Sequence, residues 1–71
     1  MDTKFIELMA DVLELEPEDL NEGSKFKELV DFDSLCVLST VAIFSDEYGK
    51  TITSEDINGC ETLADLHGLL N

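Results

Sequence analysis

Apolar residues recur every three or four positions in three separate runs of this chain, and none alternates over the length of a strand. Phe5, Ile6, Met9, Val12 and Leu13 carry the first run, on the i, i+3/i+4, i+7 spacing of one buried helical face. This predicts a helix over residues 3–15, capped by Asp2 or Thr3. Pro17 stops it, because a proline pushes the residue before it out of the α region. Leu38, Val41, Phe44 or Ser45, and Tyr48 predict a second helix over Ser34–Tyr48, with Gly49 as its terminator. Thr53 or Ser54 caps a short turn through Ile57 that Gly59 closes. Thr62-x-x-Asp65 is close to a capping box and opens a last helix carrying Leu63, Leu66 and Leu70. Thr51-Ile52-Thr53 is β-prone but too short and isolated to make a sheet.

Residues 16–33 form a long connection, which is expected to pack down through Leu20, Phe26 and Leu29. At 71 residues there is room for a single domain, spanning 1–71. The expected fold is all-α, a small three- to four-helix bundle. Its expected core is Phe26, Leu29, Leu38, Val41, Phe44, Ile52, Ile57, Leu63 and Leu66.

Charge narrows the functional classes. Seventeen Asp and Glu against four Lys and no Arg give a formal net charge of -13. Nucleic acids and anionic membranes require clustered cations, so neither is an expected partner. With 44% apolar residues the chain is too hydrophobic for a disordered polyanion. It reads as a folded acidic domain whose partners carry basic patches. No apolar run approaches the ~20 residues of a membrane span, and Met1-Asp2-Thr3-Lys4 lacks the character of a signal peptide. The expected location is the cytoplasm, with Cys36 and Cys60 as free thiols.

No catalytic or metal constellation emerges. His67 follows Asp65 at i+2, a spacing that faces the two apart on a helix. Cys36, Cys60 and His67 are too scattered for a zinc set. A calcium loop starting at Asp31 would put Cys36 where glycine is needed and Ala42 where a bidentate glutamate is needed. Asp33-Ser34-Leu35 stands out instead. Asp33 or Ser34 serves as an N-cap, and the electropositive start of a long helix suits a phosphate.

This tripeptide resembles the attachment motif of acyl carrier proteins, and the resemblance extends over nearly the whole chain. Phe5 through Leu15 resemble that family's first helix, and Leu15-Glu16-Pro17-Glu18-Asp19-Leu20 its following turn. Ser24-Lys25-Phe26-Lys27-Glu28-Leu29 is similar to its approach to the motif. Phe44-Ser45-Asp46-Glu47-Tyr48-Gly49 resembles the acidic-aromatic end of its second helix. Ile52-Thr53-x-Glu55-Asp56 and Thr62-Leu63-x-Asp65-Leu66 resemble its last two helices. The resemblance implies an acyl-carrier-like bundle with 4'-phosphopantetheine covalently attached to Ser34, flanked by Asp33 and Leu35. It implies a phosphopantetheinyl transferase as one partner and acyl-loading and synthase enzymes as others. The chain itself would catalyse nothing and would act as a monomer. A fatty acid, polyketide or other lipid pathway is the leading expectation. The alternatives are an aminoacyl or peptidyl carrier, D-alanyl included, and an acidic helical adaptor that never receives the arm.

One departure bears on partners. Typical members line the exposed face of the second helix with acids, whereas Leu35 through Ser45 contain no charge. Cys36, Ser39, Ile43 and Asp46 share a stripe at i, i+3, i+7, i+10, expected to lie opposite Leu38, Val41 and Tyr48 and to meet partners through basic or apolar patches. Lys25 and Lys27 precede the motif, and Asp31-Phe32 replaces a small, glycine-containing approach.

Excess charge has its own consequence. Like charges oppose compaction over a Debye length of about 30 Å at 0.01 M salt and about 8 Å at 0.15 M. Crowding is also expected to raise the folded-state pKa values of the carboxylates. Thermal melts should therefore rise from 0.01 M to 0.15 M salt, and again with millimolar Ca2+ or Mg2+. Three identical melting temperatures would show that repulsion does not limit stability.

Overall fold

Two helices of useful length organise the chain: α1 (Thr3–Leu13) and α3 (Ser34–Tyr48), packed on each other. The structure, a computed structural model, describes residues 3–70. A 3-10 turn at Pro17–Asp19, a one-turn α2 (Phe26–Leu29), α4 (Ser54–Asn58) and α5 (Leu63–Gly68) complete the order. No strand occurs among the described residues. The all-α bundle is present, with α2 as an extra helix inside the long connection.

α1 buries Phe5, Met9, Ala10 and Leu13 and leaves Ile6 and Val12 half-buried. A start cap at Asp2 lies outside the described residues, and Thr3 is already helical. The helix stops at Leu13, two residues before the expected end, and Pro17 is not the cause. Glu14 turns left-handed at φ 58°. Its N–H donates to Asp11 O at 3.3 Å, and the Leu15 N–H donates to Ala10 O at 3.0 Å. This closure normally uses glycine, since an L side chain in that region costs about 1–2 kcal/mol. Leu15 folds back onto the core as a result.

α3 is set at a rotation that the apolar pattern did not predict. Thr40 and Phe44 are fully buried, with Val37, Val41 and Tyr48 partly buried beside them. Leu38, expected in the core, is 65% exposed. The deciding contacts are aromatic: Phe5 meets Phe44 edge-on at 5.9 Å and Tyr48 at 6.3 Å. Thr40 can enter the core because its hydroxyl donates to Cys36 O at 2.8 Å, leaving no unsatisfied donor. Lys4 bridges to Glu47 at 3.4 Å and lies 5.0 Å from the Tyr48 ring centre, so the helices run antiparallel. Gly49 ends α3 at φ 63°, as expected.

The connection packs down through Leu20 and Phe26, but Leu29, also expected in the core, is 48% exposed. Phe32 takes the contact instead, with its ring 5.0 Å from Phe26. The start of α5 anchors the loop: the Leu63 and Ala64 N–H groups, which lack helical acceptors, donate to Ser24 O and Glu22 O at 3.0 Å each. Ile52, Ile57, Leu63 and Leu66 are buried as expected.

Both short terminal helices begin with capping boxes. Thr53 caps α4 with Asp56, and Thr62 caps α5 with Asp65. Asp65 shows a downward pKa shift. Hydrogen bonds from the Glu61 and Thr62 N–H groups hold its carboxyl below the usual aspartate value. Its folded pKa thus lies under its unfolded pKa, so its contribution is complete above the unfolded value and is lost as pH falls through the folded one. Thr62→Ala should cost about 1 kcal/mol, a drop of about 4–8 °C in Tm for a domain of this size. Asp65→Asn should also lower Tm at neutral pH, and its difference from wild type should shrink below about pH 4. Paired melts at pH 7 and pH 3 check both.

Candidate functional site

Ser34 is the first residue of α3 and is exposed. Of the two candidate caps, Asp33 is the one used: its carboxylate accepts from the Cys36 N–H at 3.1 Å, and its carbonyl accepts from the Val37 N–H at 3.1 Å. That frees the Ser34 hydroxyl from capping. The N–H groups of Ser34 and Leu35 have no acceptor within the helix, and they point where the helix dipole favours negative charge. The backbone ahead of the site is itself tied, with the Asp33 N–H donating to Asp31 O at 2.9 Å. A hydroxyl on a fixed, solvent-facing turn at the positive end of a 15-residue helix suits a phosphodiester.

The side chains around Ser34 differ from the expected arrangement. Leu35 is exposed beside it at 69%. Of the expected partner stripe, only Asp46 is exposed; Cys36, Ser39 and Ile43 are half-buried on the flank of α3. The open face is one step around the helix, through Leu35, Leu38, Ala42 and Ser45. Cys36 and Ser39 instead form one wall of an open cleft of about 480 Å³. Its opposite wall is the end of α1, with Asp11 and Glu14, and its head is Val30, Asp31 and Asp33. Glu14 and Asp11 had no local signal for this role, because they come from an element about twenty residues away. Leu38 was legible only by projecting the helix from an outward Ser34 rather than from its apolar content.

Burial, then a hydrogen bond and the charge of Asp33, raise the pKa of Cys36. Burial, then the charge of Asp65, raises that of Cys60. Both are free thiols that stay protonated near neutral pH. His67 packs edge-on against Phe5 at 5.1 Å. Among the described residues no group of three or more His, Cys, Asp or Glu could hold a metal ion, and no helix is long and apolar enough to cross a membrane.

Comparison with known proteins follows the same line. Meromycolate extension acyl carrier proteins of Mycobacterium leprae (strain TN) and Mycobacterium tuberculosis (strain H37Rv) are each 30% identical over 60 residues, covering 84% of this chain and 52% of theirs. The protein of that name from Mycolicibacterium smegmatis is also 30% identical over 60 residues, 61% of its length. The chain thus spans about half the length of the first of these relatives. No solved structure matches it at comparable significance. The signature of the family described as Phosphopantetheine attachment site matches residues 3–70, from the start of α1 to two residues past the end of α5. This chain belongs to that family, the carrier proteins that bear a covalent phosphopantetheine arm.

Proposed function

We propose that Ser34 is the attachment point of 4'-phosphopantetheine and that the domain carries acyl groups for enzymes of fatty acid or specialised lipid or polyketide synthesis. The observation that carries this reading is an exposed serine at the first turn of α3, within Asp33-Ser34-Leu35, in a chain matched by the family from residue 3 to residue 70. The name of the relatives, acyl carrier proteins of meromycolate extension, favours an acyl cargo over an aminoacyl one.

The arm supplies a terminal thiol that holds acyl groups as thioesters. Residues of this chain do the rest. Asp33 fixes the start of α3 so that Ser34 faces solvent in one orientation, and the first-turn N–H groups offset the phosphate charge that Asp33 and Asp31 oppose. Tethering then converts each encounter with an enzyme into delivery at high effective concentration. The serine needs no base of its own, because a separate phosphopantetheinyl transferase would provide one. A cargo chain sheltered between α3 and α4 would enter beside core side chains such as Ile57 of α4, which is fully buried. The acidic surface and the requirement for coenzyme A suit a cytoplasmic setting.

Ser34→Ala should fold as wild type, since Asp33 supplies the cap and alanine is a good helix former. Incubated with coenzyme A and a broad-specificity transferase, wild type should gain the mass of one phosphopantetheine and the variant none. A modified variant would move the site elsewhere.

A further inference from the structure

Whatever enzyme acts at Ser34 must cover the surface around it, and that surface has two chemically distinct parts. Directly along α3 runs an uncharged strip: Leu35, 69% exposed, Leu38, 65% exposed, and then Ala42. Two leucines open to water on one helix face are a cost that the fold does not require, since no described residue covers them. Beside this strip, on the α1 side, lies the open cleft whose rim carries Asp11, Glu14 and Asp31, all exposed. Leu35 belongs to both parts. Thus the carboxylates nearest the apolar strip on that side come from the end of α1 and the loop before α3, while α3 itself contributes no charge between Ser34 and Asp46. Glu14 reaches the rim from a left-handed residue where glycine would be cheaper.

Resting on the carrier reading above, we infer that enzymes acting at Ser34 dock with an apolar centre on Leu35 and Leu38 and with Lys or Arg side chains in the α1-side cleft, against Asp11, Glu14 and Asp31. Charge complementarity dictates the partner's chemistry: an acidic cleft open to water attracts cations with long aliphatic stems, whose CH2 groups meet Val12, Val30 and Leu35 while their heads reach the rim. The docked enzyme leans toward α1. A partner that gripped the α4 side would use Glu55 and Glu61 instead, both exposed and both outside the cleft.

The test uses a broad-specificity phosphopantetheinyl transferase as the docking probe, coenzyme A as donor, and kcat/KM for modification of the full chain as the readout. Asp11→Asn/Glu14→Gln should lower kcat/KM by roughly five- to tenfold at low salt, mainly through KM, and the deficit should fade at high salt. Asp31→Asn is an independent second variant, because the structure uses its carbonyl and not its carboxylate. Leu38→Gln should lower kcat/KM at all salt concentrations, without a loss of Tm. Glu55→Gln/Glu61→Gln, which removes the same charge, should remain within about twofold of wild type. Equal rates for the cleft and control variants, or a loss confined to Glu55/Glu61, overturn the inference and leave the carrier reading standing. No modification of wild type at all overturns both.

Discussion

The edge-on contact between Phe5 and Phe44 sets most of what this small bundle does. It joins α1 to α3 near the end of α3 remote from Ser34, and it fixes the rotation of a helix whose composition alone would permit several. With Phe44 inward, Thr40 and Val37 follow on the same face, and Ser34, Leu35, Leu38 and Ala42 are turned to water. Ser34 and its apolar neighbours are exposed because an aromatic pair some three turns away leaves them no other direction. A pair of this kind adds about 0.5–1.5 kcal/mol beyond the area it buries, a large share for a thin core.

Much of the architecture could be read from the residues, because its punctuation is local. Gly49, the Thr53 and Thr62 capping boxes and the limits of α3 all rest on interactions within a few positions. The recognisable motif at Ser34 has the same local character. What could not be read depends on contacts between elements. In α3, apolar side chains occur all round the helix, so periodicity does not distinguish Leu38 from Thr40; packing on Phe5 does. The end of α1 was misplaced because a glutamate in the left-handed region carries no sequence signal, unlike a glycine. The stripe expected to face partners is less open than its spacing suggests, for the same reason as Leu38: the rotation of α3 puts Cys36, Ser39 and Ile43 on its half-buried flank.

Electrostatics divide similarly into global and local terms. The net charge of -13 is a property of the whole surface, and the ion pairs among the described residues, Lys4 with Glu47 and Lys25 with Glu28, do little to reduce it. Individual carboxylates nevertheless have work of opposite sign. Asp33, Asp56 and Asp65 each accept backbone N–H groups at a helix start, where negative charge is favourable. The acids that stabilise local structure are thus distinct from those left over for encounter with other molecules.

The brevity of α4 gives the molecule an internal hierarchy. Five residues cannot sustain a helix in water, so α4 exists only while its capping box, the buried Ile57 and the Lys27 ammonium on the Asn58 carbonyl, at 2.9 Å, hold it in place. These are few restraints, and two of them lie at the surface. Local opening of α4 therefore requires much less free energy than separating α1 from α3. The bundle can loosen along one edge while the α3 platform that presents Ser34 stays folded. A firm part and a looser one coexist within the same 71 residues.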